Sequence, residues 1–417
     1  MRPINTDDCA LPAGMLLLAA VTRGDPRPVL AHNLAAVQEA GQDIVDLART
    51  HGLSSLLFLR LEGSNLADTL PPNRWEELHR AHLVTAARSH AVVSATTEVI
   101  RQLHDGAVRH CLPFKGAAMA AACLPDYLPR YITDIDLLVA PEEMPTAIAC
   151  LSEAHWQQSA ALHYLDLHQR FHFSRDAMVT DLHCSLWRSG SLLTLLPVLP
   201  VAVATMLARS RATTLDGLRV PGVADDIIIQ AILLARDRYA VPLSRWADLY
   251  RAMTPPRETP AWNEVQTLAA EHNCAGLVWL ALRFAEDLFA TPLCHSLSAP
   301  TGWEGIYTDL RPLLQRRLLL ASDKLLCSKW FTRAVVRRAL QCPVTTQPSS
   351  QALHAALAES ADRFMGNQSL RLLVYPLYVT GSVLYSAAKL ACIGEARRGL
   401  RDDIMFIRCL RALTAPL

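Results

Sequence analysis

The chain contains no CxxC pair, no Cys/His ligand spacing, no internal repeat and no low-complexity tract. Its 11 cysteines are odd in number and scattered, which argues against both a zinc site and a disulfide framework. They read as small buried thiols in a reducing compartment. Net charge is also nearly missing, at +1, and this argues against a nucleic-acid or membrane-surface role for the molecule as a whole. The balance is uneven along the chain. Residues 301–417 hold 16 Lys/Arg against 8 Asp/Glu, and residues 1–300 hold 24 against 31. A basic C-terminal part can meet a phosphate-bearing partner, although arginine-rich solvated helix faces are the simpler account of it. Long apolar runs are scarce too. The uncharged stretch from Leu372 to Ala388 contains Pro376 and Gly381 and falls short of the roughly 20 residues of a membrane span. The apolar stretch from Cys9 to Val21 follows Asp7 and Asp8, where a secretory signal carries positive charge. The expectation is a cytoplasmic protein with no membrane partner.

What is present is a well-packed globular composition, 51% hydrophobic and 19% charged, in 417 residues. That length predicts about two to three units. Residues 1–95 read as helical, with helices expected over Asn33 to Leu53, Leu53 to Leu61 and Trp75 to Ile100. Near Val108 the texture changes. A strand from His110 to Phe114 leads through Lys115-Gly116 into a small-residue helix, Ala117 to Cys123. A strand from Ile132 to Ala140 follows, then a helix from Pro141 to Ala154 with Glu142 and Glu143 in its first turn. Two strands, Gln169 to Ser174 and Met178 to Leu186, read as a hairpin about Asp176. The result is a β-α-β-α-β-β core over residues 96–190. A helical domain over 191–342 comes next, with runs at Ala224 to Tyr239, Leu243 to Met253, Glu264 to Phe289 and Leu310 to Leu340. After a proline-containing break, residues 351–417 read as a C-terminal helical region. The fold class expected is α+β: a small mixed-sheet core flanked by helical regions.

The chemistry lies in that core. Asp134 and Asp136 are two apart in an apolar run, so on a strand both carboxylates project to one side. Carboxylates are rarely buried without a partner or a metal. Asp181 stands in a second strand and shares a face with His183. If the two strands are neighbours, three carboxylates converge as two-metal phosphoryl chemistry requires, with ions about 3.5–4 Å apart. An all-oxygen set suits Mg2+. The alternative is a pair of strand ends whose aspartates are merely solvated. Lys115-Gly116, between a strand and a helix, is a candidate phosphate cradle, because glycine admits close backbone approach and a helix N-terminus offers free N–H groups. Arg130 is placed to reach a phosphate oxygen, or is simply a surface arginine.

These residues together resemble a known family. Phe-Lys-Gly at 114–116, Arg130, Thr-Asp-Ile-Asp-Leu-Leu-Val at 133–139 and Thr-Asp-Leu-His-Cys-Ser-Leu-Trp at 180–187 resemble the uncharacterised nucleotidyltransferase family of the polymerase-β-like superfamily. The likeness extends over about residues 30–255, taking in Gln42 to Leu61 and Arg245-Trp246-Ala247-Asp248. It implies that Asp134, Asp136 and Asp181 bind two Mg2+ ions, with Asp181 activating the acceptor. It also implies an NTP as co-substrate and transfer of a nucleoside monophosphate, with release of pyrophosphate, to an unidentified acceptor. A small molecule or peptide is the preferred acceptor. A tRNA- or protein-modifying enzyme, toxin-like in its acceptor, and a degenerate module that only binds nucleotide or a partner are the alternatives. Two departures stand out. The superfamily's Gly-Ser or Gly-Gly is here Lys115-Gly116, and the downstream helix has Arg236 and Arg238 where the family often has histidine. His183 is a candidate substrate contact or a structural histidine. Arg245 and Asp248 are candidate substrate residues, or a pair on one helix face. His163, His168 and His172 show no metal spacing.

Overall fold

A computed structural model describes residues 11–122, 131–158, 170–186, 202–215, 217–237, 239–254, 260–292 and 303–320. Helix α1 (Ala13–Arg23) stops where Gly24 turns left-handed, at φ +78°, and donates its N–H to the Ala20 and Val21 carbonyls. The single helix expected from Asn33 to Leu53 is two, α2 (Arg27–Glu39) and α3 (Ile44–Thr50). Gly41 at φ +62° breaks the run. Asp43 restarts it by accepting from the N–H groups of Val45 at 3.0 Å and Asp46 at 3.1 Å. Helix α4 (Ser54–Gly63) follows, and then α5 (Pro72–Asp105), whose 34 residues run unbroken through position 95.

The sheet module begins with β1 (Cys111–Phe114), α6 (Lys115–Ala122) and β2 (Ile135–Val139). A 3-10 turn (Pro141–Glu143) and α7 (Met144–Glu153) replace the single helix expected from Pro141, because Glu143 is turned back toward β1. Its carboxylate accepts from the N–H groups of Arg109 at 2.9 Å and His110 at 2.7 Å. A two-residue edge strand β3 (Gln157–Gln158) was not expected. The hairpin was: β4 (Arg170–Arg175) and β5 (Met178–His183) meet at Asp176, which takes φ +54°. The sheet order is β1-β2-β5-β4-β3. Only β2 and β5 run parallel, so the sheet is mixed and the fold is α+β as expected.

The remaining described elements are α8 (Val203–Ala208), the short pair β6 (Arg211–Ala212) and β7 (Arg219–Val220), α9 (Val223–Arg236), α10 (Leu243–Met253), α11 (Trp262–Glu271), α12 (Ala275–Phe289) and α13 (Trp303–Leu320). The run expected from Glu264 to Phe289 is split because Asn273 takes φ +51°. The part of the Leu310 to Leu340 run beyond Leu320, and the stretch from Leu372 to Ala388, lie outside the described residues. Among the described residues no helix is long and apolar enough to cross a membrane.

Two cores meet at the sheet. Ile135, Leu137 and Val139 point into one, together with Val99 and Leu103 of α5, Ala117 of α6 and Leu151 of α7. Leu112, Phe114 and Leu138 point the other way, into a larger core that joins Leu18 of α1 and Leu57 of α4 to Ile228 of α9, Trp246 of α10 and Leu280 of α12. Every residue of β1 and β2 is therefore buried. A polar side chain on either face is cut off from water, and its partners have to be protein groups or a ligand.

Candidate active site

The strand register builds one row across the sheet. Phe114 on β1 is opposite Asp136 on β2, Asp136 is beside Asp181 on β5, and Asp181 is opposite His172 on β4. Laterally paired residues share a face, so these four side chains stand together on the side turned toward the helical body. One step along, His183 lies beside Leu138 on the same face. The ligand atoms of Asp136, Asp181 and His183 all lie within 4.8 Å of one another, and all three residues are buried.

Asp136 is heavily neutralised. Its Oδ1 accepts from Nζ of Lys115 and, at 2.9 Å, from Nε2 of His183. Asp181 Oδ1 lies 2.7 Å from Nδ1 of His172, whose side chain remains partly exposed. The His183 ring meets Phe114 edge-on, with centroids 5.1 Å apart. Burial pushes the Asp136 carboxyl up, but the Lys115 charge and the His183 hydrogen bond outweigh it and hold it well below the usual carboxylate range. Burial draws His183 down to about 4 against the pull of Asp136, so its imidazole is neutral at pH 7 and carries its proton on Nε2. Burial likewise draws Lys115 down to about 8; Asp136 opposes this and Arg236 of α9 adds to it.

Asp134 is half-buried in the segment just before β2 and accepts the Thr133 hydroxyl at 2.7 Å. It stands outside the compact trio but within its field. Burial raises its pKa, and the charges of Asp136 and Asp181 raise it further. Gly116 lies in the first turn of α6, buried. Lys115, at the strand–helix junction, takes φ +56° and directs its ammonium to Asp136. Arg130 is outside the described residues. Arg245 and Asp248 face each other on α10 at 3.8 Å, and Asp248 is fully buried in the helical body.

Three contributors escaped the sequence reading. His172 has no metal spacing and is found only through the hairpin register. Arg236, noted in the sequence only as a departure from the family's histidine, acts on Lys115 electrostatically from the end of α9. Arg88 of α5 donates to the carbonyls of Ile132 at 3.1 Å, Thr133 at 2.7 Å and Ala177 at 2.9 Å, so it clamps the approaches to both carboxylate strands.

Buried Asp136, Asp181 and His183 are grouped closely enough to hold a metal ion, which would share Asp136 with the Lys115 ammonium and the His183 N–H. No curated protein and no solved structure matches the chain. A family profile described as Uncharacterised nucleotidyltransferase does match, over residues 39–290, more than half of the chain. The chain therefore belongs to the uncharacterised nucleotidyltransferase family.

Proposed function

We propose that the protein transfers a nucleoside monophosphate from an NTP to an acceptor in a Mg2+-dependent reaction. An acceptor hydroxyl or phosphate oxygen bonds to the α-phosphorus, the bond from that phosphorus to the bridging oxygen breaks, and pyrophosphate leaves. The single observation that carries this is the in-register pairing of buried Asp136 and Asp181 on parallel strands. Asp181 takes the proton of the acceptor hydroxyl, and His172 orients it for that task. Asp136, Asp181 and Asp134 would hold Mg2+, two ions in this reading, which supplies charge neutralisation at the triphosphate. His183 fixes Asp136, and Lys115-Gly116 and Arg130 serve the phosphates. Arg245 and Asp248 belong to the acceptor side, as part of the helical wall.

Incubating the protein with each α-labelled NTP, Mg2+ and a cell extract tests this by asking which fraction takes the label. Labelling should depend on Mg2+ and vanish in Asp136→Ala while the far-UV spectrum stays unchanged. Full labelling by that variant would sink the assignment. A small molecule or peptide suits the near-neutral chain as acceptor. A tRNA end or a protein would instead draw on the basic residues 301–417, and a tRNA acceptor predicts binding that weakens steeply with salt.

One observation favours a second reading. Asp136 already has two protein donors, as it would in a module that binds nucleotide or a partner without turnover. Thermal stabilisation by an NTP, with no pyrophosphate released over long incubation, would select that reading.

A further inference from the structure

Lys115 is an unusual residue for its position. It takes φ +56° although it carries a side chain, in a region where glycine is at ease. Its ammonium is buried, with the Nζ 4.8 Å from the Phe114 ring centroid and its charge on Asp136. A glycine at 115 would relieve the backbone strain but would leave Asp136 without the ammonium. That charge sits on the carboxylate grouped with Asp181 and His183. The positive charge of Arg236 also bears on Lys115; among the described residues Asp136 is the anion the ammonium pairs with, and the charge of Asp134 acts on it as well.

We infer that Lys115 is a resident counter-ion that occupies the Asp136 side of the metal site until nucleotide arrives, and then moves its ammonium from Asp136 to the polyphosphate. The inference rests on the metal-site reading above. It gives Lys115 two opposed effects. A divalent ion entering alone has to displace a positive charge from Asp136, so bare metal binds weakly. An ion arriving with a polyphosphate brings the anion that takes the ammonium over, so metal and nucleotide bind together. Such mutual assistance is a coupling between two ligands through one side chain. A lysine that served only to hold the fold would show neither effect.

The test is calorimetric titration of the full chain, near pH 7.5, with Mn2+ alone and with preformed manganese–tripolyphosphate, comparing wild type with Lys115→Met. Removing a positive charge this close to the ion should tighten bare Mn2+ binding by about 10-fold or more. The same change should weaken binding of the manganese–tripolyphosphate complex. Equal or weaker Mn2+ binding by Lys115→Met would overturn the inference. Asp136→Asn is the control that separates the two levels. If wild type binds Mn2+ saturably and Asp136→Asn does not, the site stands and only the role of Lys115 is at issue. If Asp136→Asn leaves Mn2+ binding untouched, or if no protein binds it, the site reading itself falls and takes the inference with it. Removing one partner of a buried pair can unfold a protein, and a melting curve then decides. Millimolar Mn2+ should restore a cooperative transition to Lys115→Met by replacing the missing charge, and failure to restore it would count against the counter-ion role.

Discussion

Single side chains here draw their behaviour from burial. His51 closes α3, is 1% exposed, and accepts the Leu243 N–H on Nδ1 at 3.2 Å. Burial lowers its pKa from 6.5 to about 4. The unfolded chain therefore takes up a proton below pH 6.5 that the folded chain refuses until about pH 4. The stability linked to His51 is complete above pH 6.5 and is lost as pH falls toward 4, by on the order of 3 kcal/mol. In His51→Asn the amide oxygen can still accept from Leu243, and urea midpoints measured from pH 7 to 4 should fall less steeply than in wild type. His172 works through Asp181. His172→Ala should lower turnover or Mn2+ affinity by roughly 10–100-fold, the usual cost of losing a residue that orients a ligand. Unchanged kinetics and unchanged Mn2+ binding would leave His172 as a bystander. Neither histidine is visible as functional from its neighbours in sequence, because both meet their partners only after distant segments pack.

At the scale of elements, α5 links the parts of the site. One of its faces packs Leu78 with the helical body and another packs Val92, Val99 and Leu103 beneath the sheet. From between them Arg88 reaches the carbonyls just before Asp134 and the turn that opens β5. Arg88→Ala should cost about 1–3 kcal/mol of stability and raise the Mg2+ concentration needed for turnover by about 10-fold. Excess Mg2+ should recover the rate, and Arg88→Lys should recover only part of it, since one ammonium cannot span three carbonyls. A loss of rate that Mg2+ does not relieve would mark Arg88 as scaffold alone. The elements themselves were largely readable. Short apolar runs gave β1 and β2, the polar turn at Asp176 gave the β4–β5 hairpin, and helical periodicity gave α4, α9 and α10. The missed breaks at Gly41 and Asn273 depend on single left-handed residues inside otherwise helical patterns.

Across the whole molecule, the helical body and the sheet module are joined by α5 and by strands buried on both faces. Trp246 is fully buried in the body, stacked on Tyr239 at 5.7 Å and edge-on to Phe284 at 4.9 Å. Trp246→Ala should cost about 3–5 kcal/mol. Because Phe114 and Leu138, on the site's face, belong to the same core, the described part of the chain should unfold in one step in both wild type and variant. Two resolved transitions in the variant, with Mn2+ binding surviving the first, would show the sheet module standing apart from the body.

The order of strands and helices and the Asp-x-Asp run on a strand follow from residue patterns, because side-chain alternation and turn chemistry are local. The family resemblance is legible in the same local motifs. Which charges meet is not local. The Asp136–Asp181 register, the His172 and His183 partners, the place of Asp134 outside the trio and the Lys115 ammonium on Asp136 all come from packing distant segments against a covered sheet face. Burial there removes water as a partner, so each polar group must find another within reach. Only the folded chain brings those groups within hydrogen-bonding distance of one another.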